Sequence, residues 1–275
     1  MSVSTLQAEL TQAPFDALAD GYDREFTFSK IGQAQRSAVW KELGRTFRSG
    51  DRVLEIGCGT GVDACFLAER GVQVVACDSS SAMVRVAARR VRELGASANT
   101  VDVCLLAAEN LGALEREAPF DGVFSNFAAL NCVEDLHAVG ESLGRLLKPG
   151  GMALLCFLGP CCLWEIIWYL FTAKPRKAFR RWQSASITAK LAPGASVQVR
   201  YYSVRSLARI FAPSLRLRSW SGIGLTVPPS YVESAAQGFP ALLKLAERSD
   251  RLLARCPVIR GFSDHILLKL ERVQP

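Results

Sequence analysis

The chain has 275 residues, 49% of them hydrophobic and 21% charged. This composition excludes wholesale disorder and leaves one large domain, or a domain with a sizeable insertion. Lys and Arg number 33 against 26 Asp and Glu, a net charge of +7, and the excess is concentrated after position 170. Such a balance favours nucleic acid or anionic membrane surfaces only where the cations cluster.

Nine cysteines, an odd number with no C-x-x-C pair, and no secretory signal point to a reduced, cytoplasmic protein. The adjacent Cys161 and Cys162 have no His or Cys partner at ligand spacing, so they read as packing residues and no metal site is expected.

In chain order, residues 1–13 carry little pattern and read as a loose leader. Phe15-Asp-Ala-Leu-Ala-Asp-Gly-Tyr-Asp23 follows, then a helical run from Ile31 to Phe47 that carries Arg36 and Trp40. Val53 to Ile56 has the apolar run of a buried strand, with Glu55 inside it. Three alternate glycines, Gly57, Gly59 and Gly61, come next, with Cys58 between the first two. Val62 to Arg70 then has helical spacing. Strand, glycine turn and helix make the nucleotide-approach geometry of a doubly wound sheet, because a backbone without Cβ atoms turns tightly and lets a ligand lie against it.

A second strand, Val72 to Cys77, ends in Asp78, a carboxylate placed to accept both ribose hydroxyls of an adenosine-type ligand. A dinucleotide fold would show G-x-G-x-x-G. Here the spacing is G-x-G-x-G. With Glu55 ahead of it, this stretch resembles motif I of the class I S-adenosylmethionine-dependent methyltransferases, in the small-molecule, type 11-like branch. The F-D-x-x-A-x-x-Y-D segment resembles the N-terminal cap of that branch. The resemblance implies that Tyr22 and Arg36 face the methionine end of the cofactor or the substrate.

Further along, a serine after Asp78 caps the next helix, and Ser79 and Met83 are placed at the ligand edge, where the family packs an apolar residue on adenine. The helix Val84–Leu94 carries Arg85, Arg89, Arg90 and Arg92 as a solvated face. A third strand runs from Val101 to Ala107. The family's acid after it is absent here, so the resemblance assigns adenine to backbone around Ala108, or to Glu109 or Asn110. The fourth strand, Phe120 to Asn126, brings Asn126 and Phe127 to the ligand crevice. No N-P-P-Y motif follows, which counts against a nucleobase or glutamine acceptor. Leu136 to Leu147 is an amphipathic helix closed by Lys148-Pro-Gly-Gly151, and Met152 to Leu158 is the fifth strand. The L-L-K-P-G-G run is another feature of the family.

Residues 161–171 form a strongly apolar helix, followed by Lys174, Arg176, Lys177, Arg180 and Arg181 interleaved with Phe179 and Trp182. Gly159-Pro160 interrupts the apolar run, so it is not read as a membrane span. We expect 161–182 to pack as a lid on the core, with peripheral contact to an anionic membrane as the other reading. Later come a strand-like stretch Val197–Tyr202, a serine-capped helix to Phe211, a strand Leu215–Gly224, helical material from Pro228 to Gly261 and a last strand His265–Val273.

The expected fold is therefore a Rossmann-like, seven-stranded, mostly parallel sheet with an antiparallel last strand, plus helical lid insertions. Cap helices take 1–50 and the cofactor core 51–158. An apolar and basic lid takes 159–200, and 201–275 completes the sheet with an insertion at 227–262. The resemblance implies S-adenosylmethionine as cofactor, with S-adenosylhomocysteine as product. The acceptor is expected to be a small or lipid-like molecule with a large apolar body, methylated mainly by positioning, with Tyr22 and Asn131 as orienting groups. His137 and His265 are not read as bases. An RNA acceptor, a cofactor-binding scaffold and a non-methylating enzyme that uses the sulfonium are the alternatives. Cytoplasmic location, at most peripheral to a membrane, is expected, and no oligomeric state is assigned.

Overall fold

The computed structural model describes residues 13–182 and 186–273. The leader expected at 1–13 falls, but for Ala13, outside them. Ten α-helices and nine strands are described, besides short 3-10 and π turns. The helices are α1 (Ala19–Tyr22), α2 (Lys30–Thr46), α3 (Val62–Ala68), α4 (Ser81–Arg92), α5 (Leu136–Leu146), α6 (Leu163–Phe171), α7 (Pro175–Ala178), α8 (Val204–Phe211), α9 (Glu233–Gly238) and α10 (Pro240–Leu253). The strands are β1 (Arg52–Ile56), β2 (Gln73–Asp78), β3 (Val101–Leu105), β4 (Phe120–Ser125), β5 (Leu147–Leu158), β6 (Ile187–Ala192), β7 (Ala195–Val199), β8 (Leu215–Ile223) and β9 (His265–Arg272).

Seven strands form one sheet in the order β3-β2-β1-β4-β5-β9-β8. β1 to β5 pair in parallel, and β9 runs antiparallel between β5 and β8. The expected fold is borne out. Alternation along the strands sorts the core into two layers. Leu54 and Val75 pack on one face with Val139 and Leu143 of α5 and Phe211 of α8. Val53 and Val74 pack on the other with Leu43 of α2, Leu67 of α3 and Val91 of α4. A sheet covered on both faces needs near-continuous apolar strands, which is how β1 and β2 read.

Strand order reverses between β1 and β4, so a crevice opens beyond their carboxyl ends. Helix starts are set by local capping. Ser29 accepts from Gly32 N–H, Ser80 from Met83 N–H, Asp135 from the amides of His137 and Ala138, and Ser203 from Ser206 N–H.

Two expectations change here. The strand-like Val197–Tyr202 is strand only to Val199, within Ala195–Val199, which pairs with Ile187–Ala192 as a separate antiparallel hairpin. The turn falls at Pro193-Gly194, where Gly194 has a φ of +79°. Arg90 does not belong to a solvated face. It bonds Asp23, and its Nε donates to Thr60 O (2.8 Å), tying the N-terminal cap to the glycine loop.

Candidate functional site

The glycine loop is pinned to β2 by its own backbone. Gly57 and Cys58 N–H both donate to Cys77 O (2.8 and 2.9 Å). Asp78 holds the rest: its Oδ2 accepts from Gly59 N–H and its Oδ1 from Ser80 N–H, each at 2.8 Å. Gly57 must be glycine on two counts. Its φ is +69°, and an added Cβ would stand 2.3 Å from the Ala129 Cβ. Burial raises the Asp78 carboxyl above its usual range, against the lowering effect of these amides.

The crevice is a cavity of about 280 Å³. At one end stand Gly57, Cys58, Gly59, Asp78, Ser79 and Met83, with Ala108 and Glu109 beside them. Further in are Tyr22, Arg36, Asp63, Asn126 and Phe127. The far wall includes Ala189, Leu191, Val197 and Val199 of the β6–β7 hairpin. The hairpin alternates: these four positions face inward, while Thr188, Lys190, Ser196 and Gln198 are exposed. That two-residue period puts an apolar face over the cavity.

Asp63 is the polar centre beneath the cavity. Its Oδ2 accepts from Arg36 Nη1 (2.6 Å) and from Asn126 Nδ2 (2.9 Å), and its Oδ1 from Trp40 Nε1 (2.6 Å). Arg36, only 7% exposed, also lies over the Phe127 ring, its Cζ 4.7 Å from the centroid. Phe127 and Ala128 both have positive φ, 43° and 66°. Non-glycine residues take that conformation when surroundings over-determine it, and it concentrates at functional sites. Here Asn126 Oδ1 accepts from Phe127 N–H (2.9 Å), and the ring packs against Phe26 and His265, centroids 4.9 and 5.6 Å away.

The tyrosine and the thiols facing the cavity are held in their protonated forms. Burial pushes the Tyr22 hydroxyl up to about 12 and the Cys132 thiol up to about 11. Cys58 is raised by the same cause. Neither histidine is among the lining residues: His137 is exposed, and His265 is buried, its pKa lowered by desolvation.

Most of the sequence-predicted residues meet in this cavity, and four do not. Glu55 is buried below the loop and is not part of the lining; burial raises its carboxyl well above the usual range, and its Oε2 has no partner among the described residues. Gly61 packs on α4 instead, where an added Cβ would lie 2.9 Å from the Ala87 Cβ. Asn110 is exposed and outside the lining.

Asn131, expected to orient an acceptor, is wholly buried and engaged with backbone. Its Oδ1 accepts from Leu158 N–H (2.9 Å), and its Nδ2 donates to Arg200 O (2.5 Å) and Leu158 O (3.4 Å). It joins β5 to the end of the hairpin. Asn131→Ala strands those groups and is expected to lower stability by about 2–4 kcal/mol, measured by urea denaturation. Unchanged stability with lost turnover would return Asn131 to an acceptor-orienting role.

Sequence reasoning missed Asp63 and the hairpin. Asp63 stands two residues after Gly61, in the first turn of α3, a position where a carboxylate suits the helix dipole. The hairpin signal was the alternation Ile187-Thr-Ala-Lys-Leu191 before Pro193-Gly194.

Residues 53–151 match the methyltransferase domain family, and the sheet around them has the class I fold. Over 157 residues the chain is 32% identical to a demethylmenaquinone methyltransferase from Clavibacter sepedonicus, covering 55% of this chain and 61% of that protein. A tRNA 5-carboxymethoxyuridine methyltransferase from Escherichia coli (strain K12) is 33% identical over 147 residues, 52% of this chain and 55% of that one. The chain thus spans somewhat over half the length of these curated relatives. The CcbJ methyltransferase from Streptomyces caelestis shares the fold, with a TM-score of 0.62 over 96% of this chain and 99% of that one at 17% identity.

The cofactor implied by the resemblance is S-adenosylmethionine, and the residues of the cavity fit it. Gly57, at the ligand edge, has no room for a Cβ, Asp78 offers a half-buried carboxylate, and Arg36 Nε is a buried donor with no partner among the described residues. An amino-acid carboxylate would answer that donor.

Proposed function

We propose that the protein methylates a small acceptor with an apolar body, chiefly by positioning. The observation that carries this is the hairpin face: Ala189, Leu191, Val197 and Val199 complete the same cavity that the glycine loop and Asp78 open. Burying an apolar acceptor there supplies binding energy and excludes water. Bound S-adenosylmethionine supplies a methyl carbon already activated by the sulfonium, so transfer is an in-line displacement.

The chain's share is then orientation. Asp78 takes the ribose, with Met83, Ala108 and Glu109 around the adenine. Arg36, fixed by Asp63, holds the amino-acid end. Tyr22, its hydroxyl protonated at neutral pH, donates a hydrogen bond to the acceptor. With no histidine or lysine lining the cavity, a suitable acceptor brings its own nucleophile, as an acidic phenol or enol or as a neutral amine. The relative named for demethylmenaquinone supports a quinone-like acceptor.

The test uses the full chain with S-adenosylmethionine and a panel of phenols, enols and amines on apolar bodies, read as a gain of one methyl mass. Val197→Asp should raise the acceptor KM about tenfold or more, in line with burying a charge in an apolar wall, while cofactor affinity holds. RNA is the second reading, favoured by the Escherichia coli relative. Methyl incorporation into RNA transcripts, with none into the panel, would decide for it.

A further inference from the structure

α6 exposes one apolar face, and its most deeply buried side chain is its only acid. Its nine residues are apolar except Glu165, and Glu165 is the one it buries, at 1% exposure. The acid is taken by two arginines that follow it: Arg180 pairs with Oε1, and Arg181 Nε with Oε2 at 2.5 Å. Arg181 continues to Asp264, Nη2 to Oδ1 at 2.6 Å, at the start of β9. This buried ion cluster fixes the helix with its charge inward and its apolar side outward. The expected lid packing is corrected accordingly: the hairpin of the insertion covers the cavity, while α6, with Trp164 half-buried and its Nε1 donating to Thr226 O (3.2 Å), presents Leu163, Ile167, Trp168, Leu170 and Phe171 to solvent.

Leu163, Ile167, Leu170 and Phe171 are exposed, Phe171 at 88%, and Phe179 and Trp182 continue the surface. Lys174, Arg176 and Lys177 are exposed in the same stretch. None of these three cations has a carboxylate within 4.0 Å among the described residues, and residues 166–182 contain no acid. The two cations nearer the core are neutralised; the three at the tip are not.

We propose that this surface docks the protein on an anionic lipid bilayer, with the aliphatic and aromatic side chains entering the headgroup region and Lys174, Arg176 and Lys177 resting on lipid phosphates. A helix of nine residues is far too short to cross a membrane, and among the described residues no helix is long and apolar enough. An apolar face rimmed by cations suits an interfacial helix lying on the surface. A two-fold pairing of two copies through this patch would set three cations that lack a carboxylate partner among the described residues against three others, which disfavours a second copy as occupant.

The test is co-sedimentation of the full chain with vesicles of equal parts phosphatidylcholine and phosphatidylserine, against phosphatidylcholine alone. The wild type should bind the anionic vesicles and be released by salt. The variant Lys174→Gln/Arg176→Gln/Lys177→Gln should lose affinity on the order of 100-fold, from roughly fivefold for each cation near a charged surface. Phe171→Glu should weaken binding in the same direction. A control, Arg48→Gln/Arg89→Gln/Arg92→Gln, removes the same charge from exposed positions elsewhere and should stay within about threefold of wild type. Equal thermal midpoints show that all the variants are folded.

Wild-type protein that ignores anionic vesicles overturns the proposal, as does a Phe171→Glu or triple variant that binds as wild type. Self-association abolished by Phe171→Glu, without vesicle binding, assigns the face to a second copy instead. None of these readouts uses methyl transfer, so failure here is separate from failure of the proposed activity.

Discussion

Arg36→Ala is expected to destabilise the fold by about 3–5 kcal/mol, the cost of leaving one member of a buried ion pair uncompensated. Asp63 keeps its bonds from Trp40 and Asn126 but loses the only cation that touches it among the described residues, at a site where both side chains are almost wholly buried. The Phe127 ring loses its cationic partner in the same change. Equilibrium unfolding in urea would measure the loss. The double variant Arg36→Ala/Asp63→Ala should be less destabilised than the sum of the singles, because no charge is then stranded. Equal additive losses would show that the pair is not coupled, and that Arg36 contributes by packing alone.

Asp78→Ala is expected to weaken S-adenosylmethionine binding at least about 100-fold, from two hydrogen bonds to a charged group at roughly 1.5–3 kcal/mol each. The substitution also frees the Gly59 and Ser80 amides, which Asp78 now holds. Titration calorimetry with S-adenosylmethionine and S-adenosylhomocysteine would read it directly. A pH dependence follows. Burial raises the Asp78 carboxyl, so in the free protein it takes up its proton at a higher pH than an exposed aspartate would. Ribose binding requires the ionised form, so affinity should fall as pH falls through that raised value. Asp78→Asn should flatten the profile at the weaker level. Full affinity in Asp78→Ala would remove the ribose assignment.

How much of this was readable in advance differs from residue to residue. The run from Val53 to Gly61 was legible because its logic is local: an apolar strand, then glycines whose positive φ no side chain would tolerate cheaply. Asp78 was legible by its distance from the glycines along a βαβ unit. Glu55 was placed on the right strand but given the wrong outlook, since a strand residue two positions before the turn is buried beneath the loop rather than beside the ligand. Asn131 was placed in the right loop and assigned to the wrong partner. Its partners Leu158 and Arg200 lie 27 and 69 residues away in the chain, and nothing in its neighbourhood announces them.

The sequence by itself determined the doubly wound class, because that rests on short-range spacing and on periodicity, and its resemblance to the family implied the methyl donor. Only the tertiary structure decided what surrounds that donor. Asp63 becomes the polar centre because three side chains, from α2 and from the end of β4, converge on it. The cavity acquires its apolar wall because β6 and β7 pair with each other instead of joining the main sheet. The outward face of α6 depends on one buried carboxylate finding Arg180 and Arg181. A nearly uniform apolar helix carries no periodic signal for which side faces in; a long-range ion cluster, with Asp264 at its far end, sets it.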